Sequence, residues 1–189
     1  MAKQTRSQSG AYIYSFTINT ALTIVELTAG IASGSAAILA DGIQNLSDSL
    51  VIAISFVASG SRDQRAAKKP ATIDALILMF IALFIGGMAF HKLDNPSNPP
   101  SQLLMFIGFL SVVINFAAAA ALKSRKRDVI TKAPIVGLFF SALSGLIVFG
   151  AGVLSYFGVH GHLDAYAGIF IAFLLFYRSL GLLTQARAL

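Results

Sequence analysis

Apolar residues along this chain gather into six stretches, each long enough to cross a bilayer as a helix, with short polar interruptions between them. They run from about Ala11 to Ala32, Ala36 to Gly60, Ala71 to Phe90, Gln102 to Leu122, Pro134 to Phe157 and Leu163 to Ala186. The length of the runs, their Ala and Leu content and the lack of period-two alternation all speak against strands. Only Gly34-Ser35 parts the first two stretches, which predicts a tight hairpin. The segment LDNPSNPP (Leu93 to Pro100) is the clearest loop, because its prolines lack a donor and clash with the preceding helical turn. The expected fold is an all-α membrane protein. It has a cytoplasmic N-terminal tail over residues 1–10 and one domain of six transmembrane helices over residues 11–187.

Composition agrees with that pattern. The 189 residues are 56% hydrophobic and 12% charged, against about 45–50% and about 25% in soluble domains. A mean hydropathy of +0.77 leaves too little polar surface to coat a water-soluble globule. At roughly 20 residues per span, six spans use the whole length and leave no soluble domain. The absence of cysteine removes disulfides, thiolate metal ligands and cysteine nucleophiles from consideration. The opening MAKQTRSQSG carries no secretory cleavage pattern, and the apolar stretch behind it is too long for a signal-peptide core.

Charge sorts the loops. Lys3 and Arg6 precede span one; Arg62, Arg65, Lys68 and Lys69 lie between spans two and three. Lys123, Arg125, Lys126, Arg127 and Lys132 lie between spans four and five, and Arg187 follows span six. Twelve of the 14 basic residues thus fall on one side; Lys92 lies opposite and Arg178 lies within span six. The positive-inside rule places both termini and both basic loops in the cytoplasm, in keeping with a multi-pass protein of a bacterial inner membrane. The basic clusters read as a topological label and as contacts with anionic lipid, not as a nucleic-acid surface.

Ionisable groups inside a bilayer are costly, so they mark candidate function. Span one carries Asn19 and Glu26; span two carries Asp41, Gln44, Asn45, Ser47 and Asp48; span four carries Asn115; span six carries Asp164 and Arg178. At 100° per residue Asp41, Gln44, Asn45 and Asp48 share one helical face. Their aligned carboxylate and amide oxygens suit a cation site or a proton relay. Asp41, near the start of the span, reads first as its cap, with the amides bonding to neighbouring helices. Asp48, deeper in the bilayer, is the stronger functional candidate. Glu26 reads either as a protonated structural acid bonded to span two or as a relay member. Gly30 and Gly34 form a GxxxG that suits close packing of the hairpin, and Asn45-Leu46-Ser47 is a chance sequon inside a span. His160, His162 and Asp164 are an ordinary outer loop or a weak metal site. No Walker loop, HExxH, GxSxG or paired-carboxylate hydrolase pattern is present, so no enzyme and no tightly bound cofactor is expected.

Asn19, Glu26, Gly30 and the run GSAAILADGIQNLSD (Gly34 to Asp48) resemble the first two spans of the cation diffusion facilitator family, whose usual pattern is an Asn, then ExxxG, then GSxALLADAxHxxxD. Asn115 before a basic loop is similar to that family's fourth span. SALSGLIVFGAGVL (Ser141 to Leu154) is similar to its DALGS-type fifth span, and DAYAGIFIAFLLFYRSLGLL (Asp164 to Leu183) to its sixth. The resemblance implies a six-helix, dimeric exporter that exchanges zinc, manganese, iron or cobalt for protons. It also implies a transport site made of two residues four apart on span two and two more on span five. By position these are Gln44 and Asp48, then Gly137 and Ser141, where the family uses His or Asp.

Three of the four implied ligands are therefore altered. Zinc favours imidazole or thiolate among four ligands. Asp48 with an amide, the Ser141 hydroxyl and Asp41 or Asn45 makes an all-oxygen site, better suited to Mg²⁺ or Mn²⁺. The family's His-containing segment between spans two and three is missing, and the chain ends at Leu189 without the cytoplasmic metal-sensing and dimerising domain. Any homodimer is then expected to form through the membrane helices. Two readings follow: a minimal divalent-cation/proton antiporter centred on Asp48, or a non-transporting structural or accessory subunit of a larger membrane complex.

Overall fold

The computed structural model describes residues 2–58, 68–96, 98–123, 129–159 and 162–188. Arg62, Arg65, Arg125, Lys126, Arg127 and His160 lie outside the described residues. Six helices follow one another: α1 (Ala2–Ser33), α2 (Ala36–Ala58), α3 (Lys68–Asp94), α4 (Ser101–Lys123), α5 (Val129–Tyr156) and α6 (Leu163–Ala188). Each contains a segment long and apolar enough to cross a membrane. A bilayer core offers no partner for backbone polar groups, and helices satisfy them internally.

Helix bounds depart most from the apolar stretches at the starts of α1 and α5. Helical backbone begins at Ala2, running through residues that composition marks as a tail. Helix α5 begins at Val129, and Pro134 is its sixth residue. The proline lacks an N–H, so the ladder bond to the carbonyl of residue 130 is absent there.

The α1–α2 turn is closed by backbone geometry. Gly34 adopts φ 66°, and Ser35 N donates to Gly30 O at 3.1 Å while Gly34 N donates to Ile31 O at 3.3 Å. This double capping of the last carbonyls needs a left-handed residue, which glycine supplies without steric penalty. The Lys92 ammonium, at the end of α3, donates to the Gly34 carbonyl and covers the same turn.

Helix α2 is the central element, with 67% of its apolar span buried against 22% for α3. It packs on α1, α3, α5 and α6, while α4 pairs with α5 and α1, and α3 pairs with α6. Since lipid is as apolar as leucine, helix association here rests on close packing and on polar contacts between helices. Small residues allow it: a side chain at Gly145 would come within 2.7 Å of Ser111 Cβ, and one at Gly152 within 2.6 Å of Met105 N. Between α1 and α2, Gly30 faces Leu39 and Gly42 faces Glu26. Phe80, Phe84, Phe106, Phe109 and Phe173 point outward, as expected of a lipid-facing shell.

The interior is layered. One apolar cluster holds Ile38, Ile85, Leu104, Ile107, Val148 and Ile171; another holds Tyr12, Ile52, Leu122 and Leu138. Along α2, α4 and α5 these clusters bracket the buried polar residues: Asp41 to Asp48 lie between Ile38 and Ile52, Ser111 and Asn115 between Ile107 and Leu122, and Ser141 and Ser144 between Leu138 and Val148. On these three helices the polar layer thus lies between two apolar clusters.

Candidate cation site in the polar layer

Asp48 is the thirteenth of the 23 residues of α2, close to its middle, and is fully buried. The polar face of α2 is shared between two sets of neighbours. One edge presents Gln44 and Asp48 to α5 and α6. The other presents Asp41 and Asn45 to α1 and α4. Four residues of one stripe thus divide into two adjoining clusters, because a central helix has a different partner on each flank.

At the first edge, Ser141 Oγ donates to Asp48 Oδ2 at 2.5 Å, and Ser144 Oγ donates to Gln44 Oε1 at 2.7 Å. On the other oxygen, Arg178 Nη1 of α6 lies 2.6 Å from Asp48 Oδ1, with both side chains essentially shielded from solvent. That contact is close but is not aligned as a hydrogen bond, and Gln44 Nε2 also lacks a partner. Gly137 completes the enclosure: a Cβ there would collide with Asp48 Oδ1 and Arg178 Nη2. The missing side chain of Gly137 is the space that the guanidinium occupies. Gln44, Asp48 and Ser141 are therefore brought together, as the resemblance to the cation diffusion facilitators implies, and Gly137 supplies room in place of a ligand.

At the second edge, Asn45 Nδ2 donates to Glu26 Oε2 at 2.7 Å, which bonds α2 to α1. Glu26 and Asp41 also lie within interaction distance of each other and of Ser111 on α4. Asn115 Nδ2 donates to Ser111 O at 2.9 Å, and Asn19 Nδ2 donates to Asn45 O at 2.8 Å. Acceptors outnumber donors here. Glu26 Oε1, both Asp41 carboxyl oxygens and the amide oxygens of Asn19, Asn45 and Asn115 are buried without a hydrogen-bond donor. Such a surplus of buried oxygen is balanced by protons or by a small cation.

Asp41 does not cap α2. That helix begins five residues earlier, and its first amides are held from another helix. Asp164 at the start of α6 accepts from Ala36 N at 2.7 Å, Ala37 N at 3.2 Å and Ser35 Oγ at 2.5 Å. A carboxylate at a helix N-terminus satisfies orphan donors and faces the positive end of the helix dipole. This engagement takes Asp164 away from the outer-loop trio. His162 stacks edge-on against Tyr166, with centroids 6.1 Å apart. Among the described residues no group of three or more His, Cys, Asp or Glu side chains is placed to hold a metal.

The sequence pattern singles out Asp48 but not its partner. Arg178, Ser144 and Ser111 carry no motif, and only charge balance points to the first: a basic residue inside a span must find an acid there. A family model described as the cation efflux transmembrane domain matches residues 12–188. No curated protein matches the chain.

Proposed function

Because the chain belongs to the cation efflux family, a group of membrane transporters, we propose that it moves a divalent cation across the bilayer through the site at Asp48, in exchange for protons. The observation that carries this reading is the mid-span carboxylate of Asp48, buried between α2, α5 and α6 with the Ser141 hydroxyl bonded to it and the Gln44–Ser144 pair one helical turn away along α2. All these groups offer oxygen, which suits Mg²⁺ or Mn²⁺ better than zinc, iron or cobalt. The oxygen-rich cluster of Glu26 and Asp41, one helical edge away, is a natural store for the exchanged proton. Efflux from the cytoplasm, a bacterial inner membrane and a homodimer formed through the membrane helices complete the proposal.

A second reading has its own support. The Arg178–Asp48 pair puts a positive charge of the chain itself at the site, as expected of an accessory subunit that keeps the fold without transport. Proteoliposomes separate the two. Uptake of Mn²⁺ and Mg²⁺ driven by a pH gradient is expected for the wild type and is expected to vanish in Asp48→Asn. Wild-type vesicles that take up none of Zn²⁺, Mn²⁺, Fe²⁺, Co²⁺ or Mg²⁺ would favour the accessory subunit.

A further inference from the structure

Arg178 is the one basic side chain described within the polar layer, and its contact with Asp48 is close but not aligned as a hydrogen bond. A guanidinium carries five N–H donors in a fixed fork, and it binds a carboxylate best through two parallel bonds. Here it meets Asp48 through one close, misaligned contact, and Nη1 has no hydrogen-bond acceptor in line. The second carboxylate oxygen, Oδ2, accepts from Ser141 and has no close contact to the guanidinium comparable to that of Oδ1. On the α5 side Ser141 reaches Asp48, and Gly137 leaves the space beside the guanidinium without a side chain.

Arg178 lies six residues before the end of the apolar segment of α6, at Thr184, or about 9 Å along the helix axis. A side chain of that length can carry its head toward the interface while its stem stays in apolar surroundings. Asp48 is then left with Ser141, Gln44 and Ser144, a set of oxygens with no positive charge of its own. A divalent cation and a guanidinium in contact with one buried carboxylate repel each other, so each weakens the other's hold on Asp48.

We propose that Arg178 is a tethered, exchangeable counter-ion: its guanidinium holds the seat at Asp48 while no mobile cation is present, and a divalent cation entering the seat displaces it toward the membrane face nearest the end of α6. This rests on Asp48 being the transport site and adds how the empty site is kept neutral. It also assigns Gly137 a role: the glycine makes the seat wide enough for a planar guanidinium.

The test is equilibrium binding of Mn²⁺ to purified protein in nanodiscs, with free Mn²⁺ followed by electron paramagnetic resonance. Wild type, Arg178→Gln, Arg178→Lys and the double variant Asp48→Asn/Arg178→Gln are compared. Removing the internal competitor is expected to tighten Mn²⁺ binding at least tenfold in Arg178→Gln. The double variant is expected to lose that binding. Arg178→Lys keeps a positive charge, and with it the pairing that supports the fold, so it remains measurable if Arg178→Gln does not fold. Its compact ammonium fills the seat less completely, and its affinity is expected to lie above that of the wild type. Equal Mn²⁺ affinity in the wild type and in each folded single variant would overturn the exchange while leaving ion binding at Asp48 intact. Absence of Mn²⁺ binding in every folded protein would overturn both the exchange and the Mn²⁺ site itself.

Discussion

At Gly137 one added methyl group would strike Asp48 Oδ1 and Arg178 Nη2 together. Gly137→Ala is therefore expected to force the ion pair apart and to lower stability by about 1–3 kcal/mol, the usual cost of overfilling a packed interior. Thermal unfolding in detergent micelles measures it, and a melting temperature unchanged from wild type would mean that the seat is wider than described. Glu26 behaves differently under substitution, because its role toward α2 is that of an acceptor. Glu26→Gln keeps an oxygen for Asn45 Nδ2 and is expected to unfold near the wild-type temperature. Glu26→Ala leaves that buried donor unanswered, at about 1–3 kcal/mol. Equal destabilisation by both would show that the charge of Glu26 matters more than its bond to Asn45.

Asp164 shows how one helix can complete another. Asp164→Ala is expected to cost about 0.5–2 kcal/mol, as loss of a helix cap does. It is also expected to speed hydrogen exchange at the amides of Ala36 and Ala37, with Asp164→Asn milder on both counts. Unchanged exchange at those two amides would contradict the cap. This contact was not legible in the sequence, where an acidic residue after a short loop reads as belonging to the loop or to its own helix. The six spans were legible, because bilayer thickness imposes a length and a hydropathy that a single chain must display. So was the polar face of α2, since helical periodicity alone aligns Asp41, Gln44, Asn45 and Asp48. What periodicity cannot reveal is which neighbour stands on each flank. The division of that face between Glu26 on one side and Arg178 on the other depends on packing between residues far apart in the chain, and there the sequence offers only the rule that a membrane arginine needs an acid.

For the molecule as a whole, the layering predicts occlusion. The chain has no cysteine, so a single one introduced at Ser144 reports access to the polar layer without background. Ser144→Cys is expected to resist a membrane-impermeant maleimide, and adding Leu138→Gly to thin one apolar cluster is expected to speed labelling at least tenfold. Rapid labelling of Ser144→Cys alone would mean that the layer is open to water. The two apolar clusters also set what transport demands: only one of them can part at a time without leaving a continuous leak. Helix α6 touches α2 at two polar points, Asp164 at the start of α2 and Arg178 near its middle, separated along α6 by 14 residues, or about 21 Å. In mechanical terms these are a pivot and a latch. With the pivot held and the latch released, a tilt of only about 10° would carry the region around Arg178 sideways by roughly 4 Å, within the range of rigid-body helix motions. An ion that unseats a single guanidinium would thereby gain the leverage of a whole helix.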